Sequence, residues 1–213
     1  MLFEFNKIIN NLNFDIKGII HVGAGSGAEL RAYKKLDVNN FIMIEPDPVS
    51  YKKLILRKLF YSYFYNKKIY TENCLITDQV SKNTPFHIMN IKDCNSIYNL
   101  HLHKKIYPSI HVKRTINLRS ETLNNLFKNK YNINDYNFIN IDIQGAELLA
   151  FTGASEILKN IQGIYTEVNF KELYKNCALV DELDHYLLKF GFVRILTNND
   201  MHSSWGDALY IKK

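Results

Sequence analysis

Six short apolar runs, at residues 18–22, 41–45, 69–76, 137–143, 163–168 and 192–196, alternate with stretches of helical periodicity at 28–36, 48–59, 145–159 and 179–190. Such an order buries both kinds of element when the strands lie parallel and helices cover both faces of the sheet. The expectation is therefore an α/β fold. A closing run, DALYIKK at 207–213, is expected to add a strand at the sheet edge, and residues 84–119 interrupt the alternation. In open sheets of this kind ligands sit outside the carboxyl ends of the strands. Residues that end strands are thus the candidates for function, and the interruption is the expected source of specificity.

The first strand runs into HVGAGSGAEL, where Gly23, Gly25 and Gly27 alternate with small residues. A strand that turns at once into a helix needs positive or crowded φ values, and a missing side chain lets the backbone approach a bound group. Twenty-two residues after Gly23 the second strand, FIMIE, ends in Glu45, a carboxylate able to accept both hydroxyls of a ribose. The pair points to a cofactor that contains a nucleoside. GAGSGA also satisfies G-x-G-x-x-G/A, so a nicotinamide dinucleotide stays open at this point, as does a tight structural turn beside a surface glutamate.

Five segments, HVGAGSGAEL, IEPDP, NFINIDIQGAELLAFTGASEIL, YTEVNFKELYKNCALVDELDHYLLKFGF and WGDALYIKK, together closely resemble the FkbM family of S-adenosylmethionine-dependent methyltransferases. The resemblance runs from about Ile19 to Ile211. It implies the Rossmann-like class I methyltransferase fold: a seven-stranded, mostly parallel sheet with an antiparallel last strand and helices on both faces. DALYIKK would then pair as a hairpin with FVRIL. One methyltransferase domain is implied over 1–213, with an N-terminal helical extension at 1–17 and a substrate-pocket insertion at 84–119. The implied activity is methyl transfer to a hydroxyl of a sugar, glycan intermediate or natural product. Carried over by position, Gly23, Ala24 and Gly25 would lie against the methionine part of S-adenosylmethionine and Glu45 would hold its ribose. Asp47 would reach the adenosine or cap the next helix, and Asn73, Cys74 or Leu75 would line the adenine pocket. His21 stands where many relatives of the fold carry an acid; it is read either as a cofactor neighbour or as a satisfied core histidine. Asn124 stands where relatives frequently carry Asp, so no catalytic role is expected there.

Methyl transfer to oxygen is an in-line displacement, in which holding nucleophile, carbon and sulfur in line recovers about 7–11 kcal/mol. A hydroxyl also needs a base, worth roughly 10²–10⁴-fold. Asp142, ending FINID, is a candidate for that base and for a cofactor contact, or else it caps the following helix. Glu167, ending GIYTEV, is expected to bind substrate hydroxyls or to act as the base in place of Asp142, or else is a surface acid at a strand end. The two carboxylates would suit a divalent cation, but no third well-spaced ligand is apparent, so no metal is expected. Glu147 reads as an acid placed in a first helical turn by the dipole.

Charge bears on the acceptor. Formal net charge is +6, and no acid occurs between Asp93 and Glu121, where Lys104, Lys105, Lys113, Arg114 and Arg119 stand among His101, His103 and His111. This stretch attracts anions. A phosphorylated or carboxylated saccharide fits, with His101, His103, Lys113 and Arg114 as candidate substrate contacts and Trp205 as a stacking platform; a solvated hairpin with unrelated charges is the alternative. A second acid-free run, Val49 to Thr71, mixes six basic residues with aromatic ones. It reads as an amphipathic helix with Leu54, Leu56 and Leu59 toward the core, or as a polyanion-binding surface. Nucleic acid is not expected as partner, because no RNA-binding motif accompanies the charge. The competing functions are a nicotinamide-dependent oxidoreductase and a non-enzymatic protein of RNA or membrane surfaces. Cys74, Cys94 and Cys177 have no C-x-x-C spacing, which suggests neither disulfides nor zinc. No stretch of about 18 apolar residues and no basic-then-apolar leader is evident, which leads to the expectation of a soluble, cytoplasmic protein.

Overall fold

A computed structural model describes residues 8–199 and 204–213. Its main sheet has seven strands: β1 (Gly18–Val22), β2 (Asn40–Ile44), β3 (Lys68–Glu72), β7 (Phe138–Ile141), β8 (Gly163–Asn169), β9 (Phe192–Asn199) and β10 (Trp205–Lys212), in the order β3-β2-β1-β7-β8-β10-β9. The first five in that order pair in parallel, while β10 runs antiparallel to both β8 and β9. The strand order reverses between β1 and β7, which opens a crevice at their carboxyl ends.

Alternation along the strands sorts side chains between two cores. Ile19, Phe41, Phe138 and Tyr165 face one side, where they meet Leu30 and Tyr33 of α1 (Leu30–Tyr33) and Leu54 of α2 (Pro48–Tyr65). Ile20, Ile42, Ile139 and Ile164 face the other, against Leu126 of α4 (Leu123–Lys130), Phe151 of α5 (Glu147–Thr152) and Leu183 of α6 (Val180–Leu188). A sheet covered on both faces has no polar side, which is why these strands read as continuous apolar runs.

Several expectations are revised. DALYIKK does pair with FVRIL, as in Leu209 opposite Leu196 and Ile211 opposite Val193, but it lies inside the sheet and β9 is the edge. The reason is burial: Gly206–Ile211 is buried throughout, whereas most of β9 is half-exposed. The run 69–76 splits, with Leu75–Ile76 leaving the main sheet as β4. The interruption at 84–119 is largely a second sheet, order β4-β6-β5, built on the antiparallel pair β5 (Ser81–Met89) and β6 (Val112–Glu121), with the short α3 (Leu102–Ile106) between them. The helix expected over 145–159 stops after Thr152, and at the following Gly153, packed on the Thr77 carbonyl, a side chain would have no room. The chain resumes as a 3₁₀ turn at Ile157–Lys159, and Asn124 Oδ1 accepts the N–H groups of Glu156 and Ile157 beside it. Of the helical extension expected over 1–17, residues 1–7 lie outside the described residues, and 10–17 are turn and irregular chain anchored by the buried Ile8.

Helix α2 begins where the sequence favours it, with Asp47 as N-cap and Pro48 in the first turn. Its Ser50 and Leu54 are buried, yet Leu56 and Leu59, expected in the core, are exposed. At 100° per residue they stand opposite Leu54, so the core-facing stripe is narrower than the leucine content suggests.

Candidate active site

The crevice at the ends of β1, β2 and β7 holds a cavity of about 340 Å³. Its floor is the glycine turn. The N–H groups of Gly23 and Ala24 donate to the Ile44 carbonyl at 2.9 and 3.0 Å, which ties the turn to the end of β2. Gly23 has φ +82°, and a Cβ there would collide with the Asp142 carbonyl, so β1 and β7 approach backbone to backbone. A Cβ on Gly25 would meet no protein atom within 4 Å; that space belongs to the cavity.

Glu45 closes the next side. Its Oε2 accepts the Gly25 N–H and its Oε1 the Asp47 N–H, both at 2.7 Å. Each oxygen keeps a further lone pair for a ligand hydroxyl. Burial pushes this carboxyl up to about 7, against the opposing pull of the two N–H donors. Asp47 itself turns away, accepting the N–H groups of Val49 and Ser50 and the Ser50 hydroxyl; of the two roles expected for it, helix capping is the one its geometry serves. Asn73 also stands behind the wall, its amide donating to the carbonyls of Glu45 and Pro46. Cys74, Leu75, Ile76 and Phe86 supply an apolar side, and burial pushes the Cys74 thiol up to about 12, leaving it neutral.

His21 does not line the cavity. It is buried on β1 with Nδ1 3.2 Å from the Tyr33 hydroxyl, which in turn accepts from Asn140, and burial lowers its pKa. Strand alternation explains the correction: His21 lies one residue from Val22 and two from the turn, on the face covered by α1.

Four acidic and amide groups meet where β7 and β8 end. Asp142 lines the cavity, its N–H held by the Val22 carbonyl at 3.0 Å. Gln144, a non-glycine residue at φ +56°, places its amide nitrogen 2.7 Å from Asp142 Oδ1 and 2.5 Å from Glu167 Oε2. Its Oε1 accepts the Tyr174 hydroxyl at 2.8 Å and its backbone carbonyl accepts the Ser96 hydroxyl at 2.8 Å. Two carboxylate acceptors on one side and a hydroxyl donor on the other admit a single orientation of the amide. Glu147 folds back so that Oε1 accepts the Ile143 N–H at 2.9 Å and the Gly145 N–H at 3.3 Å. Carboxylate oxygens of Asp142, Glu147 and Glu167 lie within 4.8 Å of one another. The expectation that nothing stands third beside Asp142 and Glu167 is thus corrected. So is the capping alternative for Asp142, since α5 starts at Glu147 with Ala146 as its N-cap.

Glu147 and Glu167 are buried and Asp142 half-buried, and burial disfavours the charged form of the two glutamates. Burial, and then the charge of Asp142, raises Glu167 well above the usual carboxylate range, and burial raises Glu147 to about 7. Glu167 is 4% exposed and lies outside the cavity wall, and the Gln144 amide donates to it as well as to Asp142.

From the insertion, Phe86, Lys92, Asp93, Asn95 and Ile97 reach the cavity. None of the basic residues expected there does. Lys113 and Arg114 are exposed on β6, and His101 stands 3.3 Å from Glu172. His103 is buried with its ring stacked on Tyr174, and burial lowers its pKa. Trp205 packs on the cluster of Leu173, Tyr174 and Cys177. The β5–β6 hairpin aims its charges outward and its connecting segment inward, which acid counting along the sequence does not reveal. Gln144 was the other omission; the available signal was a bulky residue before Gly145 in a strand-to-helix turn, a place where left-handed backbone concentrates.

The model of the methyltransferase FkbM domain matches residues 21–194. The chain belongs to the FkbM methyltransferase family. No protein of curated function matches this FkbM chain by sequence. Its fold is shared with solved methyltransferases at low identity. Magnesium protoporphyrin IX methyltransferase of Synechocystis PCC 6803 with bound S-adenosylmethionine superposes with a TM-score of 0.52 at 8% identity, over 98% of this chain and 75% of that one. A Streptococcus pneumoniae protein proposed as a tRNA (m1A22) methyltransferase, in complex with S-adenosyl-L-methionine, gives 0.52 at 12%, over 100% and 73%. TrmK of M. capricolum with S-adenosyl-homocysteine gives 0.52 at 12%, over 100% and 69%. This FkbM protein is an S-adenosylmethionine-dependent methyltransferase, and the nicotinamide alternative falls away.

Proposed function

We propose that the enzyme methylates a hydroxyl of a sugar, glycan intermediate or natural product, with Asp142 as the base. The observation that carries this reading is that Asp142 is the one member of the carboxyl cluster on the cavity wall. The residues present suit the cofactor: Glu45 is preset for two ribose hydroxyls, the side-chain-free Gly23–Gly25 turn suits the methionine part, and Cys74 to Ile76 with Phe86 suit an adenine. S-adenosylmethionine supplies a methyl group on a sulfonium, a good leaving group.

Asp142 then has a defined task. Its carboxylate would take up the proton of an acceptor hydroxyl as that oxygen is methylated, the methyl group being supplied by bound S-adenosylmethionine. The Gln144 amide occupies Oδ1 of Asp142 and so fixes which way the carboxylate faces. Burial and the charge of Asp142 raise the Glu167 carboxyl well above its usual range, which disfavours a second negative charge beside Asp142. Lys92, Asp93 and Asn95 present ammonium, carboxylate and amide groups to the same cavity, a mixed polar set suited to a polyhydroxylated acceptor.

The test is mass spectrometry of saccharide and polyol acceptors incubated with the enzyme and S-adenosylmethionine, read as a gain of one methyl group. Asp142→Asn should lower kcat by about 10²-fold or more while leaving the cofactor Kd within a few-fold. Undiminished turnover in this variant removes Asp142 from the role, and methylation confined to nitrogen acceptors overturns the hydroxyl assignment.

A further inference from the structure

Helix α2 spans 18 residues, about 27 Å at 1.5 Å per residue. One side carries Ser50 and Leu54 into the core. The opposite side carries Leu56, Leu59, Phe60, Tyr63 and Phe64, at spacings of i, i+3, i+4, i+7 and i+8, with exposures of 68, 60, 49, 83 and 64%. This is the pattern by which a helix buries a face, here turned to solvent. The rings form one patch: Phe60 lies 4.7 Å from Phe64, and Tyr63 5.0 Å from Phe64, centroid to centroid. Lys52 occupies the same side one turn before Leu56, while Lys53 beside it lines the active-site cavity. Between Val49 and Thr71 there are six basic residues and no acid. Arg57 is engaged by Ser26 and Lys67 by the carbonyls of Leu36 and Val38, but the exposed Lys52 and Lys68 stand in no ion pair among the described residues.

We infer that this face of α2 docks the enzyme onto an anionic lipid surface, with the helix lying in the plane of the interface. Charge complementarity selects that occupant. A second copy of the chain would bring the same lysines against these, with no carboxylate on the face to pair with them. A single-stranded nucleic acid would need free aromatic faces, but Leu56 and Leu59 have none, and the rings of Tyr63 and Phe64 meet edge to face. Leucine and aromatic groups flanked by unpaired lysines match an interfacial helix, whose apolar side enters the headgroup boundary while the cations meet anionic headgroups. No helix among the described residues is long and apolar enough to cross a membrane, so the contact is peripheral.

The experiment is flotation of the full chain with vesicles of phosphatidylcholine alone and of phosphatidylcholine mixed with phosphatidylglycerol, across a salt series. Binding to the anionic vesicles, weakening with salt, is expected. The triple variant Leu59→Ser, Phe60→Ser, Phe64→Ser should lose it by at least roughly tenfold, with S-adenosylmethionine affinity unchanged. Lys52→Glu, which touches no apolar group of the patch, should weaken binding several-fold and covers the case of a triple variant that fails to fold. Absence of binding to anionic vesicles, or binding unchanged in the lysine variant, overturns the inference. So does a dimer seen by light scattering, or single-stranded RNA binding without vesicle binding, that the apolar variant abolishes; these assign the face to a second copy or to nucleic acid.

Discussion

Glu45 has both carboxylate oxygens tied to backbone N–H groups before any ligand arrives, so the ribose meets acceptors already aimed. Its carboxyl sits at about 7 in the unliganded protein. Ribose hydroxyls donate best to the ionised form, and S-adenosylmethionine affinity should therefore rise as pH climbs from 6 to 8. Calorimetric titration across that range checks it: Glu45→Gln should flatten the profile, and Glu45→Ala should weaken binding by more than roughly tenfold, since each ionic hydrogen bond is worth about 1.5–3 kcal/mol. Gln144 acts on a different quantity. Replacing it with Ala strands two carboxyls and the Tyr174 hydroxyl without their shared partner, a loss of about 1–3 kcal/mol of stability. Denaturant unfolding reads that loss, while kcat should fall with the cofactor Kd preserved. Glu45 was legible in the sequence because it ends a strand at a fixed distance from the glycines. Gln144 was not, because its importance lies in three partners that come from β8, the insertion and the segment after β8.

At the scale of elements, the start of α5 carries a pH-dependent load. Glu147 caps the turn before it from inside the fold, and its carboxyl is raised from 4.5 to about 7 by burial. A carboxyl raised in the folded state holds a proton that the unfolded chain releases, so its contribution is complete below about 4.5 and disappears as pH rises through about 7. Melting temperature should decline between pH 5 and 8, and Glu147→Gln, which keeps the Oε1 acceptor without the charge, should remove part of that decline in a calorimetric scan. Strands were read well from sequence, since being covered on both faces leaves a continuous apolar signature. Helix lengths and the insertion were not. Gly153 after α5 packs on the Thr77 carbonyl, and the run 69–76 divides between two sheets, contacts distant along the chain that sequence pattern does not show.

For the whole molecule, the two cores meet through one sheet, and the cavity sits at its switch point between the glycine turn and the second sheet. A ligand bound there and absent from the unfolded chain stabilises everything at once, by about 2.7 kcal/mol at a concentration of 100 times Kd. For a chain of this size that corresponds to a rise of roughly 5–10 °C in Tm. Differential scanning fluorimetry with S-adenosylmethionine should show that rise, and NAD at equal concentration should show none. Finally, β10 lies between β8 and β9, which otherwise do not touch. During translation β8 and β9 therefore emerge with nothing to join them, and the sheet stays open along that seam until residue 212 has cleared the ribosome. A nascent chain stalled between β9 and β10 holds β8 with one edge unpaired and β9 with no partner, both open to pairing with another strand.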